Sequence, residues 1–368
     1  MSNATVVLDQ VVAPVPGGIG RYALNLVRAL SMRDDAPHSL IGFVPRVPRD
    51  TARHLEGLIP LLDGVEVSWL PRPALARAWE RGFAVPRRDL TYSPSLFAPL
   101  AEHGRHIVTI HDAVPWTHPE TLTGHGAAWH RAMGERAARF ADIVVVPTDA
   151  VAQRLTEFLP LGDRIRVIGG APSADLVVPV DAGIRRTTLG VPDRYLVFVG
   201  TLEPRKGLER LLASLATIPD IPLVVIGPSG WGGVNVDDLV RRTGIDASRV
   251  HALGRLGDAD LASVLAGSRA LVVPSIDEGF GLPVLEAMSL GVPVIHSTAA
   301  ALMEVAGASG IAVDIHAAAG MVDLVEAVTG LDDATLHRDL VSRGKARAAE
   351  FSWDASAANL ARVFAEIS

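Results

Sequence analysis

Two doubly wound α/β domains, each built on a parallel sheet, are the fold class this sequence predicts. Three observations carry that expectation. Short apolar, β-rich runs recur along the chain, helix-length segments separate them, and the 368 residues exceed what one hydrophobic core usually organises. Runs that are continuously apolar, not alternating, suit strands covered on both faces. Regular strand–helix alternation is the signature of βαβ units.

In the first half the runs are Thr5–Leu8, Ser39–Val44, Val65–Leu70, Ile107–Ile110, Ile143–Val146 and Arg164–Ile168. In the second half they are Tyr195–Val199, Pro222–Ile226, Ala270–Val273, Pro293–Ile295 and Ile311–Val313. The natural boundary is Gly169–Pro172, where a strand-like run gives way to Gly-Gly-Ala-Pro. Residues 1–168 and 169–351 then form the two domains, and 352–368 a last helix packing back toward the first. Ser352 is placed to cap that helix, and Leu360, Val363 and Phe364 share one of its faces.

Composition excludes several functions. With 49% hydrophobic and 20% charged residues, the chain is a globular protein. No apolar run reaches membrane-spanning length, and no basic, then apolar, leader opens the chain. Zero cysteines remove disulfides, thiolate metal sites and cysteine nucleophiles, and suit a cytoplasmic location. A net charge of −7, from 34 basic and 41 acidic residues, argues against nucleic acid as a partner.

Ligands of open parallel sheets bind beyond the carboxyl ends of the strands, so four post-strand segments stand out. Pro16-Gly17-Gly18-Ile19-Gly20-Arg21-Tyr22 precedes an amphipathic helix carrying Leu24, Leu26, Val27 and Leu30. Its glycines admit a ligand to backbone amides, or they simply serve a turn with positive φ. The dinucleotide fingerprint is incomplete there. His111-Asp112 follows the Ile107–Ile110 run, placed either to bond a polar substrate or to hold a loop. His103, His106, His111, His118, His125 and His130 crowd one region, but without the paired spacing of a metal site.

The third segment is Gly200-Thr201-Leu202-Glu203-Pro204-Arg205-Lys206-Gly207, ahead of a helix with Leu208, Leu211, Leu212 and Leu215. Two cations at a helix start oppose the macrodipole at about 0.3–1 kcal/mol each. A bound diphosphate reverses that cost; pairing with Glu203 and Glu209 offsets it instead. The fourth runs from Pro274 to Met288 and holds Glu278-Gly279-Phe280-Gly281-Leu282-Pro283-Val284-Leu285-Glu286. Pro283 suits a first helical turn and Gly291 a helix stop. Two carboxylates around a helix start can accept hydroxyl pairs of a ribose and a hexose. An acidic loop and helix cap accounts for Glu278 alone, not for the whole constellation.

These residues resemble the GT4 family of retaining glycosyltransferases, in particular its bacterial mannosyltransferase-type members. Glu278 and Glu286 match the family's Glu-x7-Glu motif, Arg205-Lys206 its phosphate-binding pair, Gly17-Gly18-Ile19 its glycine loop, and His111-Asp112 its His-Asp pair. Asp260-Leu261-Ala262 and Glu304-Val305-Ala306-Gly307 match further runs, so the resemblance covers nearly the whole chain. It implies the GT-B fold, two Rossmann-like domains facing each other across a deep cleft. The implied donor-binding residues are Gly17, Gly18, Arg205, Lys206, Gly279, Phe280, Gly281, Leu282 and Glu286; the catalytic set is His111, Asp112 and Glu278. Arg205 and Lys206 would neutralise the diphosphate and Glu286 would bind the ribose. Glu278 with the Gly279–Gly281 amides would hold the sugar, and His111 would meet it from the first domain. The resemblance further implies a nucleotide-sugar donor (GDP-mannose as the best guess), a glycan or lipid-linked acceptor, and neither cofactor nor metal. Val167-Ile168-Gly169-Gly170-Ala171-Pro172 lacks the family's Pro-Asn-Gly at the domain junction.

Pro71–Asp89 gathers Arg72, Arg77, Arg81, Arg87 and Arg88. If Ala74–Phe83 is helical, Leu75, Trp79 and Phe83 share a face flanked by Arg77 and Arg81. Residues 72–88 then either rest on an anionic membrane from the cytoplasmic side or pack Trp79 inward. A nucleotide-sugar epimerase and a non-catalytic nucleotide-sugar binder are the rival functions.

Overall fold

A computed structural model describes residues 3–83, 86, 90–218, 221–315, 317 and 319–367. It divides into two compact units. Unit 1 comprises the chain through Thr117, His125–Gly170 and the segment from Ser352 onward; unit 2 comprises His118–Gly124 and Ala171–Phe351.

Unit 1 holds a seven-stranded parallel sheet of β1 (Asn3–Val7), β2 (Ser39–Val44), β3 (Val65–Val67), β4 (Leu90–Ser93), β5 (Arg105–Thr109), β6 (Ile143–Val146) and β7 (Ile165–Val167). Its helices are α1 (Gly17–Ser31), α2 (Arg49–Leu58), α3 (Arg72–Glu80), α4 (Val114–Thr117), α5 (Gly124–Phe140) and α6 (Asp149–Thr156). Strand order is β3-β2-β1-β4-β5-β6-β7, which reverses direction between β1 and β4. Strands such as Ile143–Val146 are buried at every position, because helices cover both faces.

Unit 2 repeats the plan with β8 (Leu196–Val199), β9 (Leu223–Ile226), β10 (Val250–Gly254), β11 (Ala270–Val273), β12 (Val294–Ser297) and β13 (Ile311–Val313). The helices are α7 (Ala182–Thr188), α8 (Leu208–Leu215), α9 (Val236–Thr243), α10 (Asp258–Gly267), α11 (Leu282–Ser289), α12 (Ala300–Ala306), α13 (Gly320–Gly330) and α14 (Ala334–Ala349). The order β10-β9-β8-β11-β12-β13 reverses between β8 and β11. These two reversal points are where doubly wound sheets open a crevice at the carboxyl ends of their strands.

The last helix, α15 (Trp353–Glu366), starts where Ser352 accepts the Ala355 amide. Its Leu360, Val363 and Phe364 enter the core formed by β1, β4 and α1, with Leu26, Val27 and Leu30 opposite. Leu24 only lines the edge of that core.

The predicted two-domain α/β architecture is the observed one, with differences among the strands. Leu90–Ser93 and Val250–Gly254 are strands that the apolar runs did not reveal. Ser39–Val44 and Ala270–Val273 match their expected ranges, whereas Val65–Leu70 shortens to Val65–Val67. Among the described residues no helix is long and apolar enough to cross a membrane.

Of the two readings of residues 74–83, the inward packing of Trp79 is the observed one. The helix ends at Glu80, and Leu75 and Trp79 are buried with Val7, Phe43 and Phe97 in a small cluster of unit 1. Packing against the sheet outcompetes exposure because a buried Trp removes a large apolar area from water. Phe83 is left exposed beyond the helix end. Arg87, Arg88 and Asp89 lie outside the described residues.

Candidate active site

In unit 2 the loops after β8 and β11, neighbours across the reversal point, are fastened together. Gly207 has φ +72°, and a Cβ there would sit 2.1 Å from the Pro274 carbonyl oxygen. Only glycine allows that approach. The Ile276 amide donates to the Arg205 carbonyl at 2.8 Å. A third loop joins them: Gly227 abuts the Gly200 carbonyl, and the Leu202 amide donates to Pro228 O at 3.0 Å.

This fastening assembles a compact charge cluster. Lys206 Nζ donates to Glu278 Oε1 at 2.5 Å, and Ser275 Oγ donates to the same oxygen at 2.7 Å. Arg205 Nη1 lies 3.4 Å from Glu278 Oε2, while its Nε is 2.6 Å from Glu203 Oε1. Glu203 and Glu278 are 2% and 7% exposed. Burial alone would raise the Glu278 carboxyl, but Lys206 and Arg205 outweigh it and hold it down at about 2. Glu278 is therefore an anion at neutral pH, held between two cations.

Gly281, at φ +91°, caps α11 with no side-chain bond to its first turn, and Pro283 occupies the opening turn. Phe280 and Leu282 are buried, Phe280 edge-on to Phe351 with centroids 6.0 Å apart. Glu286 sits in α11 and is 3% exposed. The structure thus joins Arg205, Lys206 and Glu278 in one cluster and puts Glu286 on the adjoining helix.

In unit 1, His111 follows β5, and its Nε2 lies 2.7 Å from Pro94 O. A carbonyl only accepts, so Nε2 carries the proton and Nδ1 of the neutral ring is left as an acceptor. Burial pushes this imidazole below its usual range, which keeps it neutral. Tyr22 packs edge-on to it at 5.0 Å and anchors its own hydroxyl on Ile168 O at 2.9 Å. Asp112 Oδ1 accepts the Val114 amide at 3.1 Å, so this carboxylate also shapes the turn into α4.

At the head of α1, Gly17 has φ +60° and a Cβ on Gly17 or Gly18 would meet nothing within 4 Å. Gly20 differs: its Cβ would lie 2.8 Å from Gln10 O. Gly20 is therefore needed for packing and Gly17 for its backbone, while nothing steric demands Gly18. Among the described residues no group of three His, Asp or Glu is placed to hold a metal ion. His106 is buried in β5, apart from any such group.

Sequence reasoning left two participants out of the cluster's chemistry. In the sequence Ser275 is one residue of a loop, and Glu203 is a competitor for the cations. A buried carboxylate on each side of Arg205 was not visible from spacing.

The fold is that of the GT-B glycosyltransferases. Family models agree: residues 16–171 match Glycosyltransferase Family 4 and residues 184–347 match Glycosyl transferases group 1. O-antigen chain mannosyltransferase B of Escherichia coli is 29% identical over 305 residues, covering 74% of this chain and 77% of that protein. D-inositol 3-phosphate glycosyltransferase of Mycobacterium tuberculosis is 36% identical over 159 residues, 41% of this chain and 33% of that protein. Among solved structures, sucrose-phosphate synthase from Thermosynechococcus elongatus superposes with a TM-score of 0.77 at 21% identity, covering 100% of this chain and 99% of that one. Anabaena HepE in complex with UDP and glucose gives 0.75 at 20% identity, with both chains fully covered. The chain belongs to the GT4-type glycosyltransferases.

Proposed function

We propose that this glycosyltransferase is a retaining hexosyltransferase that takes mannose from GDP-mannose and passes it to a glycan or lipid-linked acceptor. The observation that carries the donor assignment is the Arg205–Lys206 pair, held at the strand reversal of unit 2 beside the buried carboxylate of Glu278. Two fixed cations suit a diphosphate. Mannose is favoured by the Escherichia coli mannosyltransferase relative.

In this reading Arg205 and Lys206 bind the donor diphosphate and Glu286 the ribose. Glu278 and the Gly279–Leu282 backbone take the sugar hydroxyls. Unit 1 takes the acceptor, with Gly17 and Gly18 leaving room for it, and His111 offers Nδ1 to a hydroxyl of the transferred sugar beside Asp112. The bond from the anomeric carbon to the diphosphate oxygen breaks. The acceptor oxygen bonds the same face of that carbon, and its proton passes to the departing phosphate. Cations that stabilise the leaving group lower the barrier without a metal or cofactor. The enzyme works at the cytoplasmic face of the membrane, a placement supported by Trp69 and Phe83, 77% and 67% exposed on either side of α3 with its exposed Arg77.

A thermal-shift screen of GDP-, UDP- and ADP-sugars, followed by turnover with and without acceptors, tests the donor. GDP-mannose should give the largest shift. Glu286→Ala should weaken donor binding, whereas Glu278→Ala should mainly reduce turnover. No shift with any nucleotide sugar, or wild-type behaviour of both variants, overturns the assignment.

A further inference from the structure

At the strand reversal of unit 1, the loops after β1 and β4 carry a second set of groups. Asp9, two residues beyond β1, is 2% exposed. Its Oδ2 accepts Arg72 Nε at 3.0 Å and Gln10 Nε2 at 3.1 Å. Arg72 opens α3, and its guanidinium carbon stands 4.6 Å from the centroid of Phe97, in the segment after β4. Phe97 is fixed in turn by Trp79 at 4.5 Å and by its amide bond to Ser95 Oγ at 3.2 Å.

Arg72 is therefore clamped on one edge by a carboxylate and on one face by an aromatic ring, across the reversal point. Its side chain nevertheless stays 47% exposed. The bond to Asp9 uses Nε, and among the described residues neither Nη group makes a hydrogen bond. A brace for α3 explains the ion pair at Nε, but a brace has no need of a half-exposed fork. A planar guanidinium locked in place is instead suited to bidentate capture of phosphate oxygens. The first-turn amides of α3 add positive potential beside it.

We propose that Asp9 and Arg72 form an acceptor subsite that reads a phosphate group on the acceptor sugar, Arg72 binding the anion and Asp9 orienting Arg72. The proposal rests on the acceptor-side role of unit 1 given above. The same chemistry is presented by a free hexose phosphate and by a sugar carried on a prenyl diphosphate.

The test uses the full chain saturated with GDP or UDP, so that the diphosphate site of unit 2 is filled. Glucose 6-phosphate, a short-chain prenyl diphosphate glucose and uncharged methyl α-mannoside are titrated by calorimetry against wild type, Arg72→Gln and Asp9→Asn. The phosphorylated probes should bind wild type and lose on the order of tenfold in affinity with Arg72→Gln. Methyl α-mannoside and the nucleotide should be indifferent to it. Asp9→Asn should keep or tighten the binding, because it removes a negative charge beside the anion. A mere brace predicts the opposite, with both variants failing together. Binding of the prenyl-linked probe alone also supports the subsite and assigns its phosphate to a lipid carrier. Equal affinities for wild type and Arg72→Gln, or no binding of either phosphorylated probe, overturn the subsite. If neither nucleotide binds, the donor reading fails, and the Arg72→Gln comparison still decides the subsite. Should Arg72→Gln lose its fold, Arg72→Lys replaces it, keeping the charge but not the fork, with an intermediate affinity expected.

Discussion

Lys206 Nζ and Glu278 Oε1, 72 positions apart in the chain, meet at 2.5 Å because the turn at Gly207 lies directly on the Pro274 carbonyl. The carboxylate is buried, so its charge depends on its cationic neighbours. Lys206→Ala should therefore destabilise the fold by on the order of 3 kcal/mol, the scale for removing one partner of a buried pair. Lys206→Ala combined with Glu278→Gln should recover much of that loss, since no unpaired charge is left behind. Urea denaturation of the four proteins of the cycle measures it. A double variant whose loss equals the sum of the two single losses would show that the pair is not energetically coupled.

Buried Glu278 and Asp9 should titrate with opposite sign. Glu278 is lowered to about 2 against an ordinary 4.5. Its contribution is thus complete above about 4.5 and disappears as pH falls toward 2. Asp9 is raised from 3.8 to about 6, mainly by burial, with Arg72 and Gln10 pulling the other way. Between pH 3.8 and 6 the folded state holds a proton that the unfolded state has released, so stability declines as pH rises through that window. Relative to wild type, Asp9→Asn should gain in melting temperature from pH 4 to pH 7, while Glu278→Gln should lose over pH 3 to 5. Parallel melting curves for wild type and Asp9→Asn across that range would contradict the burial assigned to Asp9.

Much of this organisation was legible before any coordinates, for identifiable reasons. Strands such as Leu223–Ile226 and Ile143–Val146 announce themselves because burial on both faces forces an unbroken apolar run. Leu90–Ser93 does not: its Thr91 and Tyr92 look like loop residues, yet both are buried, and the Tyr92 hydroxyl is matched by Thr109 at 3.0 Å. Missing that strand hid the reversal point of unit 1, and with it the significance of Asp9. In the same way Glu278 could be found from its spacing to Glu286, but its pairing with Lys206 could not. That contact depends on a loop approach set by Gly207, which no local pattern encodes.

The aromatic pair outside α3 makes a separate prediction. Trp69 and Phe83 are exposed, and Arg77 and Arg81 share their neighbourhood in sequence and in exposure. Vesicles containing anionic lipid should co-sediment with the protein, and less so at high salt, as screening requires. Trp69→Ala with Phe83→Ala should reduce binding at every salt concentration, and Arg77→Glu with Arg81→Glu should reduce it most at low salt. Binding untouched by the charge reversals would remove the membrane-contact proposal.

Gly18 offers the sharpest separation of stability from function. It lies in the first turn of α1, its φ is not positive, and a Cβ there would touch nothing within 4 Å. Replacing a helical glycine with alanine at such a place restricts the unfolded chain and favours the helix, by about 0.4–1 kcal/mol. Gly18→Ala should accordingly raise the melting temperature slightly. If acceptor or diphosphate approaches the backbone here, the added methyl group occupies its place, and kcat/KM should fall at least tenfold in the same protein. Gly20→Ala is the control: its Cβ would press on Gln10 O at 2.8 Å, so stability and activity should drop together. A Gly18→Ala protein that is more stable and fully active would show that the open space at the head of α1 is not used by a substrate.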